Sequence, residues 1–172
     1  LISGMDGTEH VCLLYFPTYS EVRSIRIGVE KGSAIMPVEN PFSHRIAIWG
    51  SSFTHGSSTS RAGLTYPAQF SRSTGLQMLS LGCSGRCLLQ DYFCDVLVDV
   101  DADAFVFDAF SNPRAYVIRE RLVPFIDRMI AAHPGKPLIF QQTIYREKRN
   151  FNIEEDAKEQ AKMDMADSLM TI

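Results

Sequence analysis

From residue 45 onward the chain alternates short apolar runs with longer stretches whose apolar residues recur every three or four positions. The short runs are "RIAIWG" (45–50), "LQMLSLG" (76–82), "AFVFDAF" (104–110) and "PLIFQQT" (137–143). The longer ones are "TYPAQFSRST" (65–74), "CLLQDYFCDVLVD" (87–99), "YVIRERLVPFIDRMIAAH" (116–133) and "IEEDAKEQAKMDMADSLM" (153–170). Four strands, each followed by a helix, predict an α/β protein: a parallel sheet covered on both faces, in three α/β/α layers. The third helix carries the clearest pattern. Val117, Ile118, Leu122, Phe125, Ile126, Met129 and Ile130 mark one face, with charged residues mostly between them. Pro124 inside it predicts a kink, and "AAHPGKP" places His133 at its end.

Upstream the pattern differs. "EHVCLLYF" (9–16) and "EVRSIRIGV" (21–29), joined by "PTYS", predict an antiparallel hairpin, and "KGSAIMPVENPFSH" reads as a linker. The expected division is a partial β module with linker over 1–40 and an α/β domain over 41–172. The first residues carry neither a start methionine nor a signal peptide. The last run like the middle of an amphipathic helix without a stop signal. The expectation is that the chain is an internal piece of something longer, with one sheet edge exposed and prone to pairing.

Composition narrows the partners. In 172 residues, 45% are apolar and 22% charged, which suits a packed core. A formal net charge of −3 argues against general nucleic-acid or anionic-membrane binding. No apolar run approaches the roughly 20 residues of a membrane span. Cys83 and Cys87 in "CSGRC" lack the spacing of a redox or zinc pair, and Cys87 and Cys94 fall on one face if both are helical. Small buried hydrophobes are the expectation for these thiols, with no disulfide assigned. Asp101, Asp103 and Asp108 show no EF-hand spacing, so no metal is expected. The "EEDAKEQAK" charge run reads as the solvated face of the last helix.

Candidate chemistry gathers after the strands, where ligands of open parallel sheets bind. Gly50-Ser51-Ser52 follows the first, Gly82-Cys83-Ser84-Gly85 the second, and Asp108-Ala109-Phe110-Ser111-Asn112-Pro113 the third. The first turn opens a loop with seven hydroxyl residues between Ser51 and Ser60. A Walker loop would need a shorter glycine spacing and a lysine, and the dinucleotide fingerprint is absent. The elbow G-x-S-x-G is met except at Thr54. What remains is a hydroxyl nucleophile facing oxyanion donors.

These residues resemble the SGNH hydrolases, the GDSL-like lipase/acylhydrolase family. "WGSSFTHG" is similar to its first block, G-D-S-[IL]-T-x-G, with Ser51 in place of Asp and Ser52 at the nucleophile position. "LGCSG" matches the second through Gly85, and "FSNP" supplies the Asn112 of the third without its flanking Gly and Asp. The resemblance covers residues 45 to about 145 and implies a flavodoxin-like fold. The hairpin resembles the end of a jelly-roll-like module preceding some members, which implies a secreted or periplasmic protein.

The resemblance implies acyl transfer without a cofactor. Ser52 would attack an ester, a carbohydrate ester by analogy, and Ser52 N–H, Gly85 N–H and Asn112 would hold the oxyanion. The rivals are a degenerate domain that binds a small ligand without turnover, and an O-acyltransferase. His55 and Tyr145 are candidates for substrate contact, with Arg146 and Lys148 near the pocket mouth. The family's base is a His in a late D-x-x-H block. None of His10, His44, His55 and His133 stands in that context, so the expectation is that this chain lacks the base and is weak or dead alone.

Overall fold

In β1 (Arg45–Gly50), Ala47 and Trp49 point to one side and Ile48 to the other, and all three are buried. A strand buried on both faces belongs inside a sheet. β1 pairs in parallel with β2 (Gln77–Gly82) on one side and β3 (Ala104–Asp108) on the other, and β4 (Leu138–Phe140) adds in parallel to β3. The order is β2-β1-β3-β4. The structure, a computed structural model, describes residues 4–170; expectations about the two chain ends fall partly outside them.

One face of the sheet carries the main core. Trp49, Phe105 and Phe107 meet Cys94 and Leu97 of α3 (Asp91–Leu97) and Ile118, Leu122, Phe125 and Met129 of α4 (Ala115–Ala132). Ala166 of α5 (Ile153–Met170) closes the same cluster. Phe107 stands edge-on to Phe125 at 5.2 Å between ring centroids and stacks on Phe140 at 4.7 Å, geometries that aromatic quadrupoles favour. The other face is covered by α1 (Ser52–His55), a single turn, and α2 (Tyr66–Thr74). Thr65 caps α2 by accepting from Ala68 N–H, and Gly75 ends it in the left-handed conformation. The three-layer α/β arrangement expected from the alternation is present.

Three details depart from expectation. Residues 9–29 form no strand. A two-stranded hairpin needs a third strand or a packed face to persist, and here Val11, Leu14 and Ile27 remain 75%, 61% and 66% exposed. Cys87 precedes α3 instead of sharing its face with Cys94; both are buried free thiols. α4 continues past Pro124, the position where a kink is expected. Pro124 and Glu120, whose carbonyl loses its i+4 donor, are both exposed, so that carbonyl stays open to solvent. Finally, the charge run of α5 is not all solvated: Glu159 and Lys162 are buried and paired at 2.8 Å. Among the described residues no helix is long and apolar enough to cross a membrane.

Candidate active site

Parallel register aligns the three strand ends: Gly50 sits beside Gly82 on one side and Asp108 on the other. Packing there is so close that side chains are excluded. A Cβ on Gly50 would stand 2.3 Å from Thr54 Oγ1 and 2.7 Å from Asp108 Cβ, and one on Gly82 would stand 2.2 Å from the His55 nitrogen. The two glycines thus let α1 settle directly onto the ends of β1 and β2, and Cys83 N–H donates to Gly50 O at 2.8 Å.

Asp108 organises this end of the sheet. Its Oδ2 accepts from Ser51 Oγ at 2.5 Å, Ser51 N–H at 3.0 Å and Thr54 Oγ1 at 3.0 Å; its Oδ1 accepts from Ser111 Oγ at 2.7 Å. The carboxylate is buried and has no cation beside it among the described residues, so four donors replace its hydration. Tyr66 O–H extends the chain by donating to Thr54 Oγ1 at 2.7 Å. Desolvation, with the Asp108 charge assisting, pushes the Tyr66 hydroxyl up to about 12. Burial, again with Asp108 assisting, drives the Cys87 thiol well above the usual range.

The two serines of the turn part ways. Ser51 is fully buried, bonded to Asp108, and caps α1 by accepting from Phe53 N–H at 3.3 Å. Ser52 is half-buried, and its hydroxyl makes no hydrogen bond among the described residues. The other two expected residues are similarly unclaimed. Gly85, at φ +69°, occupies a turn closed by Arg86 N–H to Cys83 O at 2.9 Å, and its own N–H has no protein partner among the described residues. Asn112 keeps its Oδ1 buried without a partner. Each follows one of the aligned strand ends within a few residues.

The histidines are engaged elsewhere. His55 Nε2 donates to Thr18 O at 2.6 Å, Nδ1 accepts from Ser84 N–H at 3.3 Å, and the ring stacks on Tyr19. His133 bonds Leu97 O and packs on Phe105, His44 pairs with Asp103, and His10 pairs with Asp6. Tyr145 is exposed; its hydroxyl bonds Asn150, and its ring lies under the Arg149 guanidinium. Arg146 turns inward, donating to Ser111 O at 3.0 Å and Glu159 Oε1 at 2.7 Å, so it braces the loop that carries Asn112. No cluster of His, Cys, Asp and Glu that could hold a metal occurs among the described residues.

Asp108, Thr54, Tyr66 and the Glu159–Lys162 pair are contributors that sequence reasoning did not assign. The available signal for Asp108 was a carboxylate ending an otherwise apolar strand.

Comparison with known proteins agrees with this architecture. The family model for the GDSL-like lipase/acylhydrolase family matches residues 43–172. A crystal structure of a protein from Bacteroides ovatus ATCC 8483, described as a GDSL-like lipase, is 37% identical, with a TM-score of 0.88 over 91% of this chain and 47% of that one. The salicylyl-acyltransferase SsfX3 from a tetracycline biosynthetic pathway is 21% identical, with a TM-score of 0.58 over 74% of this chain and 39% of that one, and at that identity shows a shared fold. The chain therefore spans about half the length of these structural relatives or less. Among curated proteins none matches. By family model and by a structural relative of this identity, the chain belongs to the GDSL-like lipase/acylhydrolase family.

Proposed function

We propose that this chain carries the nucleophile and oxyanion donors of a serine acylhydrolase acting on a small ester, with a carbohydrate ester as the preferred substrate class. One observation carries the reading. Of two adjacent serines at the end of β1, Ser51 is locked into Asp108 while the Ser52 hydroxyl makes no hydrogen bond among the described residues. In the proposed reaction Ser52 Oγ attacks the acyl carbon as its proton passes to a base. The oxyanion accepts from Gly85 N–H, Asn112 and Ser52 N–H. The intermediate collapses, and the alcohol leaves with the proton returned by the base. Water then repeats the sequence on the acyl-enzyme and releases the acid.

A serine hydroxyl needs that base within hydrogen-bond reach. The engagement of all four histidines of the chain elsewhere supports a base drawn from the rest of the protein. The same observation keeps a second reading alive, a ligand-binding domain without turnover. Fluorophosphonate labelling of the intact protein, with the adduct mapped by mass spectrometry, separates them. Labelling at Ser52 and ester hydrolysis abolished by Ser52→Ala are expected. An adduct at Ser51, or full activity in Ser52→Ala, rejects the assignment; intact protein that neither labels nor hydrolyses esters favours the binding domain. Acyl transfer to an added alcohol in preference to water would make it an acyltransferase.

A further inference from the structure

His55 stands three residues after Ser52, yet its ring faces away from base chemistry. Ser84 N–H is a donor, so Nδ1 must be unprotonated; Thr18 O is an acceptor, so Nε2 must carry the proton. The ring is thereby fixed as one neutral tautomer. Its backbone is held as firmly, because His55 N and Cα lie against Gly82 where no side chain would fit. The Tyr19 ring stacks on the imidazole at 3.9 Å between centroids and 12° between planes.

The contact matters because Ser84 is the immediate neighbour of Gly85. Residues Cys83 to Arg86 form a turn with Ser84 and Gly85 at its centre. Central N–H groups of such a turn find no acceptor within the turn itself, and a glycine at positive φ can flip its peptide at little cost. His55 holds the Ser84 N–H, which fixes the peptide plane next to the one that offers Gly85 N–H. We propose that His55 is a positioning residue for the Gly85 donor, and that Thr18 and Tyr19 make the segment before the sheet part of the active-site machinery. This rests on the acyl-transfer reading above.

The test separates an acceptor from a mere docking surface. In the intact protein, His55→Phe keeps the stack on Tyr19 but removes the acceptor for Ser84. His55→Asn keeps an acceptor near the Nδ1 position but loses the stack and the Thr18 bond. Expected are a fall in kcat of about 10- to 100-fold for His55→Phe, part of the loss seen on deleting an oxyanion donor, a KM changed by less than about threefold, and recovery of most activity in His55→Asn. Hydrogen exchange at the Ser84 N–H should rise in His55→Phe and stay protected in His55→Asn, a readout independent of turnover. Wild-type kcat in His55→Phe, or an effect confined to KM, overturns the inference while leaving Ser52 labelling intact. Loss of Ser52 labelling in the wild type would instead bring down the acyl-transfer reading and this inference with it.

Discussion

The two faces of the sheet are built on opposite principles. Beneath α3, α4 and α5 the contacts are aromatic and aliphatic, with Trp49, Phe105, Phe107 and Phe125 at the centre. Beneath α1 and α2 the contacts near the strand ends are glycine against backbone, hydroxyl against carboxylate, and Ser80 Oγ donating to Thr54 O at 3.0 Å. Apolar packing is non-directional and tolerates adjustment. A buried carboxylate with four donors is directional and does not. The apolar face holds the sheet together, and the polar face anchors the turn that carries Ser52. Mutations on the two faces should therefore separate stability from chemistry.

The largest effect belongs to Ser52. Ser52→Ala in the intact protein should lower kcat/KM for an ester by at least about 1000-fold. Its unfolding free energy should stay within about 0.5 kcal/mol of wild type, because the hydroxyl has no hydrogen-bond partner among the described residues to lose. A large stability change with retained hydrolysis would erase the contrast. The converse is Phe107→Ala, which empties the space between Phe125 and Phe140. It should cost about 3–5 kcal/mol by denaturant melt.

Ser51→Ala tests the polar face directly. It removes a donor to buried Asp108 and the cap on Phe53 N–H together. Hydrogen bonds to charged groups contribute about 1.5–3 kcal/mol, so a loss of that size is expected, with labelling of Ser52 slowed but not abolished. A neutral Ser51→Ala would mean Asp108 is held by its other donors alone.

Much of this division was legible beforehand, and the rest was hidden for identifiable reasons. The central strand β1 announced itself because a strand buried on both faces reads as a continuous apolar run; the others showed as short apolar runs between helical stretches. Ser52, Gly85 and Asn112 were named because each follows a strand end, where such sheets place ligands, and because each matches a sequence block of the family the chain resembles. Ser51 looked like a departure from the family's aspartate; the structure shows a carboxylate reaching the same turn from β3 through Asp108. Two residues 57 apart in sequence exchange no signal that spacing alone can reveal. Glu159 and Lys162 were hidden because burial of a helical charge depends on the partner that covers it, here Arg146 and the Ser111 carbonyl. The apolar runs at 9–29 had strand composition, but composition does not supply a pairing partner.

The smallest effect is a pH dependence carried by buried thiols and Tyr66. Burial raises Cys87, Cys83 and Cys94 above the ordinary thiol value of 9.0, and Tyr66 rises from 10.0 to about 12. These groups ionise more readily in the unfolded chain than in the folded one. Their effect is absent below about pH 9, and stability falls as the unfolded thiols and then the unfolded tyrosine release protons. For Tyr66 that loss runs from pH 10.0 to about 12. The melting temperature of reduced protein should therefore decline from about pH 9 upward, in the window set by those unfolded thiols. Cys87 is the most informative position, since its Sγ–H donates to Asp108 O at 3.4 Å and its thiol also feels the Asp108 charge. Cys87→Ser keeps a donor for that carbonyl but cannot ionise in this range. It should melt lower than wild type at pH 7 yet decline less steeply above pH 9. Parallel slopes for the two proteins would show that Cys87 does not resist ionisation, and that the polar network around Asp108 reaches less deeply into the apolar core than its geometry implies.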